Sequence, residues 1–393
     1  MRNIFTLAAG SVFVLLASGH ANADTLRLSD MESLTGVASA VYVPQANAVQ
    51  LAGEQINAAG GVTIGGVNYT LQIDQYDDRT DTSAGVATIQ KILGLGAPSF
   101  IMGGGTSSIS AAYSPIIKDR TDVIVMVTAS LLPGLTDNPS IYRPRVTSKQ
   151  YTDSIVSFVT GNPEFKRVAL GVDNKNAGLV NEVPALKAGL LAAGVEIVAE
   201  EEWGSGNPQF ATQIAAMSRN NPDVLVLRGY PADVARLVKQ ARELGYSGPI
   251  VTNSGMSATD VENAQAAESM DGVVEVVAPV VSDLIAGDLN KEAAQKFEDA
   301  YQARFGTPSG LLSVSAYDAV FILTRAMEHA GTTTDVPAIK AALDALKVSD
   351  VPEAVTPIKP YDGDLLFKDR QAQFVTVVRQ WKDGKFVPLT FVK

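Results

Sequence analysis

The sequence predicts an α/β protein of two lobes in tandem, each built on a parallel, doubly wound central sheet. Three observations carry that prediction. Short, wholly apolar runs such as Phe100-Ile101-Met102 and Val123-Ile124-Val125-Met126-Val127 recur between stretches of helical spacing. Runs without polar alternation belong to strands covered on both faces. The runs stop at clusters of hydroxyl, amide or acidic residues. Finally, the alternation occurs as two series of similar size and order, in a chain of 393 residues that is long enough for two cores.

Taken in order, the first series starts with a strand at 25–29 that ends at Ser29-Asp30. A loop with Leu34-Thr35-Gly36 leads to a helix over 43–59, stopped by Gly60-Gly61. A second strand at 69–75 ends at Asp77-Asp78, and a helix covers 84–95. The third strand, at 100–102, runs into Gly103-Gly104-Gly105, Thr106, Ser107 and Ser108, with a helix over 109–118. A strand at 122–127 ends at Thr128-Ala129-Ser130. The second series begins after Tyr142-Arg143-Pro144-Arg145. It reads helix 151–160, strand 167–172, helix 179–193, strand 195–200, helix 210–217, strand 223–227, helix 232–244 and strand 249–252. The tail differs, with helices at 290–305, 312–329 and 336–346, then strands at 365–367, 373–380 and 386–391. The expected division is 24–145 plus 278–347 for one lobe and 146–277 plus 348–393 for the other, with several crossings between them. Several crossings make a hinge and limit relative motion to opening and closing.

Residues 1–23 stand apart. Arg2, an apolar stretch at 4–17 and Ala21-Asn22-Ala23 form the pattern of a secretory signal peptide. The apolar stretch is short for a permanent span, so an exported, soluble mature protein is expected. The chain has no Cys, so disulfides, thiolate nucleophiles and Cys metal sites are excluded. Once the signal leaves, His329 is the one histidine, placed for a helix C-terminus. The formal charge of −11 becomes −12 without Arg2, and no basic stripe offsets it. Nucleic acid is therefore not an expected partner. The three glycines are not the spaced dinucleotide fingerprint, and neither Gly-x-Ser-x-Gly nor His-Glu-x-x-His occurs. No cofactor is expected.

In open parallel sheets, ligands bind beyond the carboxyl ends of the strands. The candidate residues are therefore Thr106, Ser107, Ser108, Thr128, Ala129, Ser130, Arg228, Tyr230, Asn253 and Ser254, with Asn176 and Tyr42 on adjoining loops. The glycine turn and its hydroxyls at a helix start form a pocket for an anionic head group, or else an ordinary turn with a Ser N-cap. Arg228 is placed to hold a ligand carboxylate bidentately or to pair with an acid such as Asp173. Tyr230, ahead of Pro231, stacks on a ligand or covers a helix start. Asn253, Ser254 and Asn176 read equally as turn residues, and Tyr42 as loop packing. Asp77, Asp78 and Asp81 read as a solvated turn more readily than as a cation site.

Several stretches together resemble the periplasmic solute-binding proteins of ABC importers, in the Leu/Ile/Val-binding branch. They are Leu34-Thr35-Gly36, Ile56-Asn57-Ala58-Ala59-Gly60-Gly61, Asp77-Asp78, the Ser-rich turn before Pro115, Leu135-Thr136, Tyr142-Arg143-Pro144-Arg145 with Gln150, Tyr230-Pro231 and Ala316-Tyr317-Asp318-Ala319. The resemblance implies two Rossmann-like lobes, joined by a three-crossover hinge, that close on a small-molecule ligand, a monomer, and delivery to a membrane permease. It implies carboxylate-binding hydroxyls at Ser107 or Ser108, with Ala129 and Ser130 beside them, and aromatic walls at Tyr42 and Tyr230. The expected ligand is an amino acid, branched-chain-like, or a related carboxylate or amide. Amino-acid binders place an acid where this chain has Asn253 or Ser254, and often a Tyr where it has Asn176-Ala177. Lys149 also departs from the usual Asp. A sensory module docking on a receptor is the alternative from another class. An exported hydrolase is a third reading, without an evident nucleophile–base pair.

Overall fold

The computed structural model describes residues 23–392. Apart from Ala23, the expected signal peptide lies outside the described residues. The first sheet contains β1 (Asp24–Glu32), β2 (Val62–Ile64), β3 (Val67–Asp77), β4 (Ser99–Gly103), β5 (Val123–Val127) and β6 (Ile141–Tyr142), in the spatial order β2-β3-β1-β4-β5-β6. Only β2 is antiparallel, folded back on β3 as an edge hairpin. The second sheet contains β7 (Arg167–Asp173), β8 (Glu196–Trp203), β9 (Val224–Arg228), β10 (Ile250–Thr252) and β11 (Val274–Val277). These lie parallel in the order β8-β7-β9-β10-β11. The two sheets thus repeat one strand order, and each has a switch point, between β1 and β4 and between β7 and β9. Chain segments leave a switch point toward opposite faces, which opens a crevice at the strand ends.

Every residue of β4, β5 and β9 is buried, which is why these runs show no alternation. Successive residues of β9 divide between two cores: Leu225 and Leu227 pack with Leu237 on one face, Val226 with Leu170 and Leu186 on the other. In the first lobe, helices Ser39–Ala58 and Ser313–Ala330 cover one face with Val49, Ala52, Ala319 and Leu323. Ile109 and Tyr113 of helix Ser107–Ile117 cover the other.

The remaining strands are β12 (Ile358–Lys359), β13 (Phe367–Lys368), β14 (Gln371–Phe374), β15 (Thr376–Lys382) and β16 (Lys385–Val392). β12, β14 and β13 form a small separate sheet, whereas β15 extends the second sheet antiparallel to β11 and β16 pairs antiparallel to β15 at the edge. The chain passes between the two large sheets three times: after β6, after β11, and between β14 and β15. Gln371 ties two passes together. Its Nε2 donates to the carbonyls of Arg143 (3.1 Å) and Arg145 (3.0 Å), while the Arg143 N–H donates to Arg370 O (2.9 Å).

Some elements differ from expectation for identifiable reasons. The single strand at 373–380 is two strands on different sheets, divided at Val375, because the polypeptide changes lobes there. The helix at 179–193 is two, Ala177–Val180 and Val183–Ala192, since Pro184 has no N–H to continue the first helix and sits instead in the first turn of a new one. β11 escapes a pattern reading because Glu275 interrupts its valines. The paired edge strands β2 and β6 are too short to register as patterns.

Candidate functional site

The glycine turn after β4 is the best place to see what the local sequence builds. Gly103, Gly104 and Gly105 all have left-handed backbone, φ 78°, 78° and 70°. Side chains occupy the space a Cβ would need. At Gly103 it would overlap the Glu32 carboxylate, at Gly104 it would stand 2.8 Å from the Tyr113 hydroxyl, and at Gly105 2.9 Å from Asp78 Oδ2. The glycines are therefore needed to seat the turn on its own lobe. Thr106 caps helix Ser107–Ile117 by accepting from the Ile109 N–H (3.4 Å). Ser107 Oγ accepts from the Leu131 N–H (2.9 Å), which fixes the loop after β5.

A cavity of about 60 Å³ lies where the two switch points meet. The first lobe contributes Tyr42, Ser107 and Ala129; the second contributes Asn176, Tyr230, Asn253 and Ser254. The other candidates lie elsewhere. Ser108 joins the lobes directly: its hydroxyl donates to Lys175 O (3.0 Å) and accepts from the Ala177 N–H (3.4 Å). Ser130 is turned inward, accepting from the Ser110 hydroxyl (2.6 Å) and the Leu132 N–H (3.2 Å). Thr128 is buried beneath the cavity, its hydroxyl beside Glu32. Arg228 lies behind Asn253, whose Oδ1 accepts from its Nε (3.4 Å). It does not pair with Asp173, which instead accepts from the Ser205 hydroxyl (2.5 Å) and the Lys175 N–H (2.9 Å).

Arg145 settles which arginine of the 142–145 segment faces the cavity. Its Nε donates to Val146 O (3.1 Å), and its Nη1 donates to the carbonyls of Thr128 (3.2 Å) and Ala129. No carboxylate forms an ion pair with it among the described residues. Arg143 instead donates to Leu132 O (2.7 Å) in the hinge. Tyr151, Leu131, Leu179, Leu311 and Leu312 also line the cavity and were not among the candidates. The signal available for Tyr151 was its place in the first turns of the helix after the hinge. The leucines looked like ordinary core. A larger groove of about 1250 Å³, bordered by Lys291, Lys296 and Glu353, lies on the outer side of the first lobe and gathers none of the strand ends.

The first-lobe floor is acidic and sealed. Asp30, Glu32 and Asp78 are all buried. Burial pushes Asp30 up to about 7, opposed by Gln75. Burial also raises Glu32 well above the carboxylate range, reinforced by Asp30 and Asp78 and opposed by Arg145. The folded pKa of Asp30 exceeds its unfolded value of 3.8. Its contribution to stability is therefore present below about pH 4 and lost as pH rises through about 7. Thermal midpoints measured across that window should fall more steeply for wild type than for Asp30→Asn. Identical slopes would assign the proton to another group.

The second-lobe wall rests on a buried ion cluster. Glu275 Oε1 accepts from the N–H groups of Gly255 (3.1 Å) and Met256 (3.0 Å), just beyond Asn253 and Ser254. Its Oε2 meets Arg379 Nη2 at 2.7 Å, and Arg379 Nη1 reaches Asp283 Oδ2 at 3.3 Å. The loop acids of the first lobe also organise backbone. Asp77 accepts from the N–H groups of Leu34 (3.0 Å) and Arg79 (2.8 Å), and Asp81 from that of Ala84 (2.8 Å).

The chain is 27% identical over 385 residues, 97% of its length and 98% of the relative's, to the Leu/Ile/Val-binding protein BraC3 of Rhizobium johnstonii. Its fold is similar to the leucine-binding protein LivK of Thermotoga maritima, with TM-score 0.78, 20% identity, and coverage of 94% of this chain and 99% of that one. It is also similar to a solute-binding protein of an ABC transporter from R. palustris, solved with benzoate, with TM-score 0.75, 18% identity, and coverage of 93% and 96%. The family model described as periplasmic binding protein matches residues 31–385, and the chain belongs to that family.

Proposed function

We propose that this protein is the periplasmic substrate-binding component of an ABC importer. It captures a small carboxylate that lacks an ammonium group and presents it, closed between the lobes, to a permease. The observation that carries the ligand class is the cavity lining. It offers the Ser107 turn, an Arg145 guanidinium without an acid partner, tyrosine faces and leucines, and no carboxylate. A buried ammonium without a counter-charge is costly, so an α-amino acid is a poor guest here. By the resemblance, Asn253 and Ser254 stand where amino-acid binders place the acid. Relatives named for Leu/Ile/Val binding and a fold neighbour solved with benzoate show that the fold alone does not choose the ligand.

Capture requires motion. About 60 Å³ holds roughly two water molecules, so a guest enters only when the lobes part. Binding then favours the closed form through contacts made to both walls. The lining serines are not paired with a base: Ser254 Oγ shares a hydrogen bond with Thr252 Oγ1 (2.7 Å), and His329 lies in the last turn of helix Ser313–Ala330. Capture without chemical conversion fits that inventory.

Calorimetric titration with leucine and 4-methylpentanoate tests this, because the two differ by the amino group alone. The deaminated acid should bind at least about tenfold more tightly. Tighter binding of leucine would overturn the ligand class. Failure of both, and of benzoate, would overturn carboxylate capture.

A further inference from the structure

Tyr151 lines the interlobe cavity with Tyr42 and Tyr230, and it differs from both in how its hydroxyl is held. The Tyr151 oxygen accepts from the Ala278 N–H (3.2 Å), just after β11, where the chain makes its second pass between the large sheets. Among the described residues, the hydroxyls of Tyr42 and Tyr230 have no such anchor. Tyr151 is buried at the start of helix Ser148–Gly161. That helix is itself tied to the third pass. Gln150 Nε2 donates to Phe374 O (2.6 Å), and Ser154 Oγ lies 2.8 Å from Thr376 Oγ1. The ring therefore stands on a helix bonded to one crossover, and its head is fixed by another.

The bond from Ala278 occupies a lone pair of the phenol oxygen and leaves its proton to give. Among the described residues, no acceptor takes that proton. An N–H donating into a hydroxyl oxygen polarises the O–H and strengthens it as a donor. Tyr151, Tyr42 and Arg145 border one space. Burial raises the Tyr42 hydroxyl above its usual range; Arg145 opposes the rise and Tyr151 adds to it, so the Tyr42 hydroxyl lies in the fields of both polar heads. No Asp or Glu lines this cavity, so no carboxylate of its lining competes for the Tyr151 proton.

Resting on the carboxylate reading above, we propose that Tyr151 is a specificity-determining residue of the site, whose hydroxyl donates to the ligand carboxylate beside Arg145. A charge-assisted bond of this kind favours an anion over a neutral ligand of the same shape. Because Ala278 and the helix already hold the donor, little freedom is lost in ordering it on binding.

Calorimetric titration of the mature protein with benzoate against benzamide, and with 4-methylpentanoate against its amide, tests the proposal. Tyr151→Phe keeps the ring and removes the hydroxyl. It should weaken binding of the acids about 10- to 100-fold. The amides are weaker acceptors and should lose severalfold less, so the preference for acid over amide shrinks. Gln150→Ala cuts the tie to Phe374 without altering the cavity lining, and should leave the acid affinities near wild type. Where no amide binds measurably, the contrast between these two variants decides. Unchanged acid binding in Tyr151→Phe, equal weakening of acid and amide, or the same loss in Gln150→Ala would overturn the role of Tyr151 and leave carboxylate capture standing. Failure of the wild type to bind either acid would overturn both. If Tyr151→Phe does not fold, Tyr151→Met, which also lacks the hydroxyl, carries the same comparison.

Discussion

Gly178→Leu should weaken ligand capture about 5- to 150-fold while leaving the thermal midpoint of the unliganded protein near wild type. Gly178 lies in the short helix Ala177–Val180, where any residue other than proline fits the backbone. The obstruction comes from the other lobe. A Cβ there would overlap Ser107 Oγ and stand 2.9 Å from Leu131 Cβ. Beside it, Ser108 bonds Lys175 O. The closed form therefore depends on a bare backbone at this position, and the open form does not. Overpacking costs about 1–3 kcal/mol, and a cost confined to the closed form lowers apparent affinity by that amount. Titration with a carboxylate that the wild type binds measures the loss. Small-angle scattering should show that the variant no longer compacts on adding that ligand. Unchanged affinity and compaction would mean that closure does not bring these surfaces together.

Arg379→Met should destabilise the protein by about 3–5 kcal/mol at pH 8, and by less at pH 5. Arg379, Glu275 and Asp283 have side chains 4%, 0% and 1% exposed. Removing the cation strands two buried carboxylates, the costly way to break such a cluster. Burial already raises both acids, and Arg379 opposes the rise. Without it their folded pKa values climb further above the unfolded ones, so stability is lost as pH rises. Acid restores part of it by protonating them. Chemical denaturation at both pH values checks this. A deficit below about 1 kcal/mol, or one equal at the two pH values, would show that the ion cluster is dispensable.

Fold class was legible because a parallel strand covered on both faces has an apolar run as its sequence signature, and β4, β5 and β9 are that case. The site was legible only in part. Strand ends name loops that come together, since Ser107, Asn176, Tyr230, Asn253 and Ser254 meet at one cavity. A loop's sequence does not tell which of its hydroxyls turns outward. Thr106 and Ser130 resemble Ser107 in sequence, yet their oxygens serve a cap and a neighbouring hydroxyl. The glycine turn is ambiguous for a related reason. Left-handed backbone is needed equally for a ligand and for a packed side chain, and here Glu32, Tyr113 and Asp78 fill the space. Arg145 and Arg228 could be sorted only by knowing which carboxylates lay nearby, and those come from distant parts of the chain.

The exchange of sheets at Val375 sets an order in which the molecule can be completed. The second lobe starts at β7, but its β11 edge stays open until β15 arrives, and Glu275 and Asp283 wait 104 and 96 residues for Arg379. A chain emerging from its N-terminus can finish the first large sheet early. It cannot neutralise the interior of the second until nearly its last residues are free. Even a short C-terminal deletion that removes β15 and β16 would therefore cost this lobe its core charge balance along with an edge.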